Sequence, residues 1–145
     1  LEMRKRSQRQ EAIRAIVRKE RVRTQRDLVE HLKAAGYACT QATVSRDIAD
    51  MGLRKLPEGA YVLAEDIHLQ RMIAELVETV VRSQQLVIVK TTAGGGQGVA
   101  AALDAAHLEE IVGSIAGDDT ILVITDNEQD AETVRAGIEK FRGRH

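Results

Sequence analysis

Thr40-Gln41-Ala42-Thr43-Val44-Ser45-Arg46-Asp47-Ile48-Ala49-Asp50-Met51 is the stretch that decides the fold of the N-terminal half. Thr40 can cap a helix, and Val44, Ile48 and Met51 follow at intervals of four and three, so residues 41–51 are predicted to form a helix buried along one side. Gln41, Thr43, Ser45, Arg46 and Asp50 fall off that stripe, and the first four crowd its N-terminal half. Arginine can bond guanine with two hydrogen bonds, glutamine can do the same for adenine, and Ser or Thr hydroxyls serve bases or phosphates. The amides at a helix N-terminus add phosphate contacts. Gln41, Thr43, Ser45 and Arg46 are therefore the candidate readers of a DNA major groove.

Working outward, Thr24 with Asp27 makes a capping-box-like start, and Leu28, Val29 and Leu32 continue an apolar stripe until Gly36. Upstream, Arg4 to Arg18 places Ile13, Ile16 and Val17 at helical spacing amid Arg, Lys and Gln, which predicts a first helix with a cationic face. The turn from Gly36 to Cys39 joins the second and third helices in the spacing of a helix-turn-helix. Downstream, Leu53-Arg54-Lys55-Leu56 and Ala60-Tyr61-Val62-Leu63 flank Pro57-Glu58-Gly59, a strand, a turn and a strand that make a wing. Tyr61 is expected in the core, and Cys39 as a buried small hydrophobe. A generic small domain with solvated polar side chains would leave unexplained both the cationic excess and the cluster of hydrogen-bonding residues at one helix start.

The charge is divided. Residues 1–65 hold 14 Lys and Arg against 9 Asp and Glu, whereas residues 66–145 hold 7 against 13, so a total of −1 hides halves of +5 and −6. A basic half implies a polyanionic partner, and an acidic half a cation or another subunit. Two tyrosines, one phenylalanine and no tryptophan leave few platforms for stacking unpaired bases, so double-stranded DNA is the expected polyanion. The single cysteine excludes an intrachain disulfide, and no Cys/His cluster stands at metal-ligand spacing, so no metal or cofactor is expected. No stretch approaches the roughly 20 apolar residues of a membrane span, and the charged beginning does not read as a signal peptide, so a cytoplasmic protein with no membrane partner is expected. Leu1 and Glu2 precede a methionine followed by a basic run, which reads as Met3 being the natural first residue.

In the acidic half, Glu65 to about Ala74 reads as a linker and short helix. Leu76 to Val81 could extend that helix, but the run of β-branched residues favours a strand, turned by Arg82-Ser83-Gln84-Gln85 into a second strand from Leu86 to Thr91. Gly94-Gly95-Gly96 is a loop, Gln97 to Ala106 a helix, Ile111 to Ala116 and Thr120 to Thr125 two further strands, and about Gln129 to Phe141 a last helix. Gly96-Gln97-Gly98-Val99-Ala100-Ala101 fits a dinucleotide fingerprint, with Asp118 about twenty residues on. Against it, too little chain follows Thr91 for a doubly wound sheet, and no P-loop Lys-Ser or Lys-Thr is present. Asp118 and Asp119 lie between two apolar runs, where a tight connection would bring two negative charges together. A guanidinium or ammonium ligand would offset them, and an Asp-rich solvated turn fits the same residues. Asp104, at the end of the preceding helix, reads equally as a ligand group or a surface residue. No Ser/His/Asp, Cys/His or paired-carboxylate arrangement with a proton-transfer partner is evident, and His31, His68, His107 and His145 are scattered, so the protein is not expected to be an enzyme.

Two motifs, in order, resemble the bacterial arginine repressor family: Gln41-Ala42-Thr43-Val44-Ser45-Arg46-Asp47-Ile48 and Gly113-Ser114-Ile115-Ala116-Gly117-Asp118-Asp119-Thr120-Ile121. The likeness runs over nearly all of the chain. It implies a repressor of arginine biosynthesis genes that binds palindromic operators with L-arginine as corepressor, and that in many relatives also activates arginine catabolism. It further implies a homo-oligomer of trimers paired into hexamers, with arginine between trimers held by Asp118 and Asp119, and with Gln97 and Asp104 lining the site. On the DNA side the resemblance falls on Ser45 and Arg46 first, then Gln41 and Thr43. Relatives usually carry Pro-Gly and then small residues or Asn where this chain has Ala93-Gly94-Gly95-Gly96, and the extra glycine implies a looser loop until ligand or subunits arrive. The alternatives are a sensor of another cationic amino acid such as lysine, ornithine or citrulline, or a nucleotide-binding enzyme using the Gly94 to Gly98 loop. The expected architecture is a winged helix-turn-helix over residues 1–65, a linker and short helix over 66–75, and over 76–145 an α/β sandwich of a mostly antiparallel four-stranded sheet covered by helices.

Overall fold

Caps and one left-handed glycine set the limits of the central helix of the N-terminal unit. The computed structural model describes residues 2–143; Leu1, and with it the reading of what precedes Met3, lies outside them, as does His145. Here α1 spans Glu2–Lys19, α2 Gln25–Ala34, α3 Gln41–Met51, β1 Leu53–Lys55 and β2 Tyr61–Leu63. Thr24 Oγ1 accepts the Asp27 N–H at 3.0 Å and Thr40 Oγ1 accepts the Thr43 N–H at 3.2 Å, so α2 and α3 each start on a hydroxyl cap. Gly52, with φ 67°, ends α3 in the left-handed conformation that a side chain would strain. Ile13, Val17, Val22, Leu28, Leu32, Val44, Leu53 and Leu63 form one core beneath the three helices and the hairpin. The hairpin pairs Leu53 with Leu63 and Lys55 with Tyr61, and the Tyr61 N–H donates to Val22 O at 2.8 Å, which fastens the wing to the α1–α2 connection. Tyr61 and Cys39 pack against this core, as their composition implied.

The chain divides into two compact units between Ala64 and Glu65. Residues 66–75, expected as a linker and short helix, instead lie within one helix, α4 (Ala64–Leu76), that follows β2 directly. The reason is burial: Leu69, Ile73 and Ala74 are buried on one face, with Met72 and Leu76 packed beside them, so the segment belongs to the second core. Val77 begins a strand, as the β-branched run predicted.

In the second unit β3 (Val77–Ser83), β4 (Leu86–Thr91), β5 (Gly113–Ala116) and β6 (Thr120–Ile124) form one sheet in the order β3-β4-β6-β5. Every pairing is antiparallel. Ser83 pairs with Leu86, so the turn is Gln84-Gln85, with Gln84 held at φ 53°. Helix α5 (Gly96–Ala106) follows β4 and α6 (Glu128–Phe141) closes the chain, each within a residue of its predicted start. Ile111 and Val112, expected in a strand, precede β5 instead: Ile111 N–H turns back to Leu108 O at 3.2 Å.

Alternation assigns the two faces of the sheet. Val87, Val89, Ile121 and Val123 are fully buried against Leu69 and Ile73 of α4, Val99 and Leu103 of α5, and Val134 and Ile138 of α6. On the opposite face the register aligns Val81, Ile88, Leu122 and Ile115 in one row across all four strands. Ile115 is 67% exposed and Val81 56%.

The antiparallel sheet overturns the dinucleotide reading of the glycine stretch. That fingerprint needs a parallel β-α-β unit, and β4 runs antiparallel to both neighbours. Gly96 has a different reason to be glycine: a Cβ there would stand 2.2 Å from Gly117 O and 2.9 Å from Asp118 O, so two backbone segments meet where no side chain fits.

Candidate functional site

Helix α3 offers its N-terminal half outward. Gln41, Ser45 and Arg46 are exposed, whereas Thr43 is half-buried and its hydroxyl lies 3.0 Å from Thr40 Oγ1, so it is engaged in the cap. Of the four expected base readers, three are thus open to solvent, and Thr43 is the one partly buried. Arg54 and Lys55 are exposed on the wing, and Lys55 also stands over the Tyr61 ring at 5.5 Å from its centroid.

What holds α3 was missed in the sequence. Asp47 is 1% exposed, on the buried side of α3. Its carboxylate takes Arg9 Nε in a short contact, a second guanidinium bond at 3.0 Å, and Gln10 Nε2 at 3.1 Å. One turn on, Asp50 pairs with Arg6 at 2.6 Å. Burial pushes the Asp47 carboxyl up, but the Arg9 and Gln10 hydrogen bonds and the charges of Arg9 and Arg6 outweigh it and hold it below the usual carboxylate range. Part of the cationic face of α1 therefore grips α3. The only local signal was a carboxylate three residues after Val44, among stripe positions; its partners on α1 lie 37 and 38 residues away. Cys39 sits close to this pair, and burial pushes its thiol up, consistent with a packing role.

In the second unit the turn between β5 and β6 is clasped by the glycine loop. Gly94 N–H donates to Asp118 Oδ2 at 3.1 Å, Gly96 N–H donates to Asp118 O at 2.8 Å, and Gly95 N–H donates to Thr92 O at 2.9 Å. Gly94 takes φ 81°, which only glycine adopts cheaply. These bonds tie the loop to the turn, because its glycines let the backbone come close enough to make them. Asp118 and Asp119 both project into solvent at this turn, and Asp119 Oδ1 accepts the Thr120 hydroxyl at 2.9 Å.

Gln97, in the first turn of α5, donates from Nε2 to Ala116 O at 3.0 Å and so stands beside the two aspartates. Asp104 does not. It is seven residues further along the same face of α5, about 10 Å away at 1.5 Å per residue. There it lines a cleft of about 300 Å³ with His107, Leu108, Ile111, Val112 and Gly113. The two parts of the expected ligand site lie toward opposite ends of β5. Among the described residues no group of three or more His, Cys, Asp or Glu is placed to hold a metal, and no helix is long and apolar enough to cross a membrane.

A winged helix-turn-helix whose third helix exposes Gln41, Ser45 and Arg46, followed by an α/β unit with a clasped acidic turn, defines the class: a DNA-binding transcriptional regulator. Residues 4–69 match the family model for the DNA-binding domain of the arginine repressor, and residues 73–140 the model for its C-terminal domain. The arginine repressor of Carboxydothermus hydrogenoformans is 40% identical over 144 residues, covering 92% of this chain and 96% of that protein. Those of Thermus thermophilus and Solibacter usitatus are each 43% identical, over 139 and 132 residues, covering 88% and 89% of this chain and 85% and 91% of those proteins. The chain belongs to the arginine repressor family.

Proposed function

We propose that the protein is an arginine-dependent transcriptional regulator of the cytoplasm that binds palindromic operators and represses arginine biosynthesis genes, with L-arginine as corepressor. The observation that carries this reading is the β5–β6 turn: two adjacent exposed carboxylates, one fixed by Gly94 N–H, make a preorganised acceptor for a guanidinium or ammonium group. Gln97 adds a polar group at the same place, and Asp104 a further carboxylate along α5. Arg46, Ser45 and Gln41 read base edges, with Thr43 at the periphery of that contact.

The protein acts as a homo-oligomer, trimers joined into hexamers with arginine between them. The apolar row of Val81, Ile88, Leu122 and Ile115 supports assembly, because a soluble chain gains by covering such a row and further copies of the same domain offer a matching one. Arginine and operator are coupled reciprocally: each strengthens the binding of the other by the same factor.

The test is an operator gel shift with and without L-arginine, with lysine, ornithine and citrulline as controls at one ionic strength, since phosphate contacts make affinity salt-dependent. Arginine-specific strengthening is expected. Binding indifferent to arginine would refute the corepressor assignment, and strengthening by ornithine or lysine alone would reassign the ligand.

A further inference from the structure

The two aspartates of the β5–β6 turn are not equivalent. Asp118 is anchored by a neutral donor, Gly94 N–H, and among the described residues no cation pairs with it. Asp119 already has one: Lys90 Nζ lies 3.8 Å from its Oδ1. The same ammonium donates to Thr120 Oγ1 at 2.9 Å, and the Thr120 hydroxyl in turn donates to Asp119 Oδ1 at 2.9 Å. Lys90 and Thr120 are cross-strand partners on β4 and β6, so the sheet register sets this relay rather than the chance reach of a long side chain. The Lys90 and Asp119 side chains are 48% and 52% exposed, which leaves the pair open to a competing ion.

We propose that Lys90 is a built-in competitor for the ligand's cationic group: its ammonium occupies Asp119 until ligand displaces it, and so it sets the concentration to which the regulator responds. This rests on reading Asp118 and Asp119 as the ligand site. The chemistry is that of like cations at one carboxylate. A ligand cation entering beside Lys90 must break the pair or endure its charge, whereas at Asp118 it meets no resident cation. An exposed pair of this kind is weak, worth a factor of about two to five in an equilibrium constant. Apparent ligand affinity is lowered by that factor, because only the fraction of sites with Asp119 released is competent. A residue of this kind tunes dose without taking part in DNA binding.

The experiment is calorimetric titration of L-arginine into the full-length protein and its Lys90→Gln and Lys90→Arg variants, with melting curves to confirm that this half-exposed position leaves the fold intact. Lys90→Gln is expected to bind arginine two- to five-fold more tightly and Lys90→Arg to match the parent. In an Asp119→Asn background, Lys90→Gln is expected to give no gain. Unchanged or weaker binding by Lys90→Gln, or a gain that persists without the Asp119 carboxylate, overturns the proposal while leaving the ligand site standing. A parent protein that takes up no arginine overturns the ligand reading, and this proposal with it.

Discussion

Arg46 and Asp47 are neighbours in sequence, yet one is exposed and the other buried. Arg46 is exposed on α3, and on the proposed reading its removal should cut operator affinity by about 1–3 kcal/mol, roughly five- to 150-fold, while arginine binding and assembly stay unchanged. Gel shift and calorimetry on Arg46→Ala check this; near-parental operator binding would put the reading face elsewhere. Asp47 is buried against Arg9 and Gln10, and Arg9→Ala would remove its guanidinium partner, leaving only the Gln10 amide and the more distant charge of Arg6. A loss of about 3 kcal/mol in the stability of the N-terminal unit is expected, the lower end for breaking a buried pair, measured by urea denaturation. The sign of the pH effect follows from the depressed folded-state value of Asp47. Its stabilisation is complete above the unfolded carboxyl value of about 3.9 and is lost as pH falls from there through the folded value. Asp47→Asn should therefore flatten the acid-side fall in stability relative to the parent, and an identical acid profile would refute the assignment.

At the scale of elements, what could be read in advance was what a short window contains. The stripe of Val44, Ile48 and Met51, the hydroxyl caps at Thr24 and Thr40, and the hairpin turn at Pro57-Glu58-Gly59 all lie within a dozen residues of what they organise. The β-branched run marked where helix α4 yields to β3, but its start at Ala64 with no preceding linker was not legible, because it depends on the burial of Leu69, Ile73 and Ala74 in the second unit. The α1 grip on Asp47 and the Lys90 relay depend on distant partners: 38 residues apart for Arg9 and Asp47, 30 for Lys90 and Thr120. Asp104 shares a helical face with Gln97, as the seven-residue spacing allowed, but its separation from the aspartate turn follows from α5 lying along β5. The glycine stretch was misleading in its motif, and the close backbone approach that requires Gly96 shows only in the fold, where a Cβ would stand 2.2 Å from Gly117 O. Gly96→Ala should force its Cβ onto two carbonyl oxygens of the β5–β6 turn, cost about 1–3 kcal/mol, and weaken arginine binding by releasing Asp118 from its clasp. Denaturation paired with calorimetry measures both effects, and a variant of parental stability would show that the approach is not tight.

The whole molecule joins a basic half to an acidic one, each with its own core, and its second sheet has helices on one face and an apolar row on the other. Ile115 and Val81 are the most exposed members of that row. Ile115→Asp should place a charge in any surface that covers it and convert oligomer to monomer in sedimentation velocity, with the melting curve of the second unit little changed. Retention of the parental mass would show that copies meet elsewhere. If only further copies of the chain cover the row, the number of molecules in the cell becomes a second input to the switch. A gene dosage that halves the supply lowers the assembled fraction by mass action at any arginine level, so expression of the regulator and abundance of its ligand are read as a product rather than one by one.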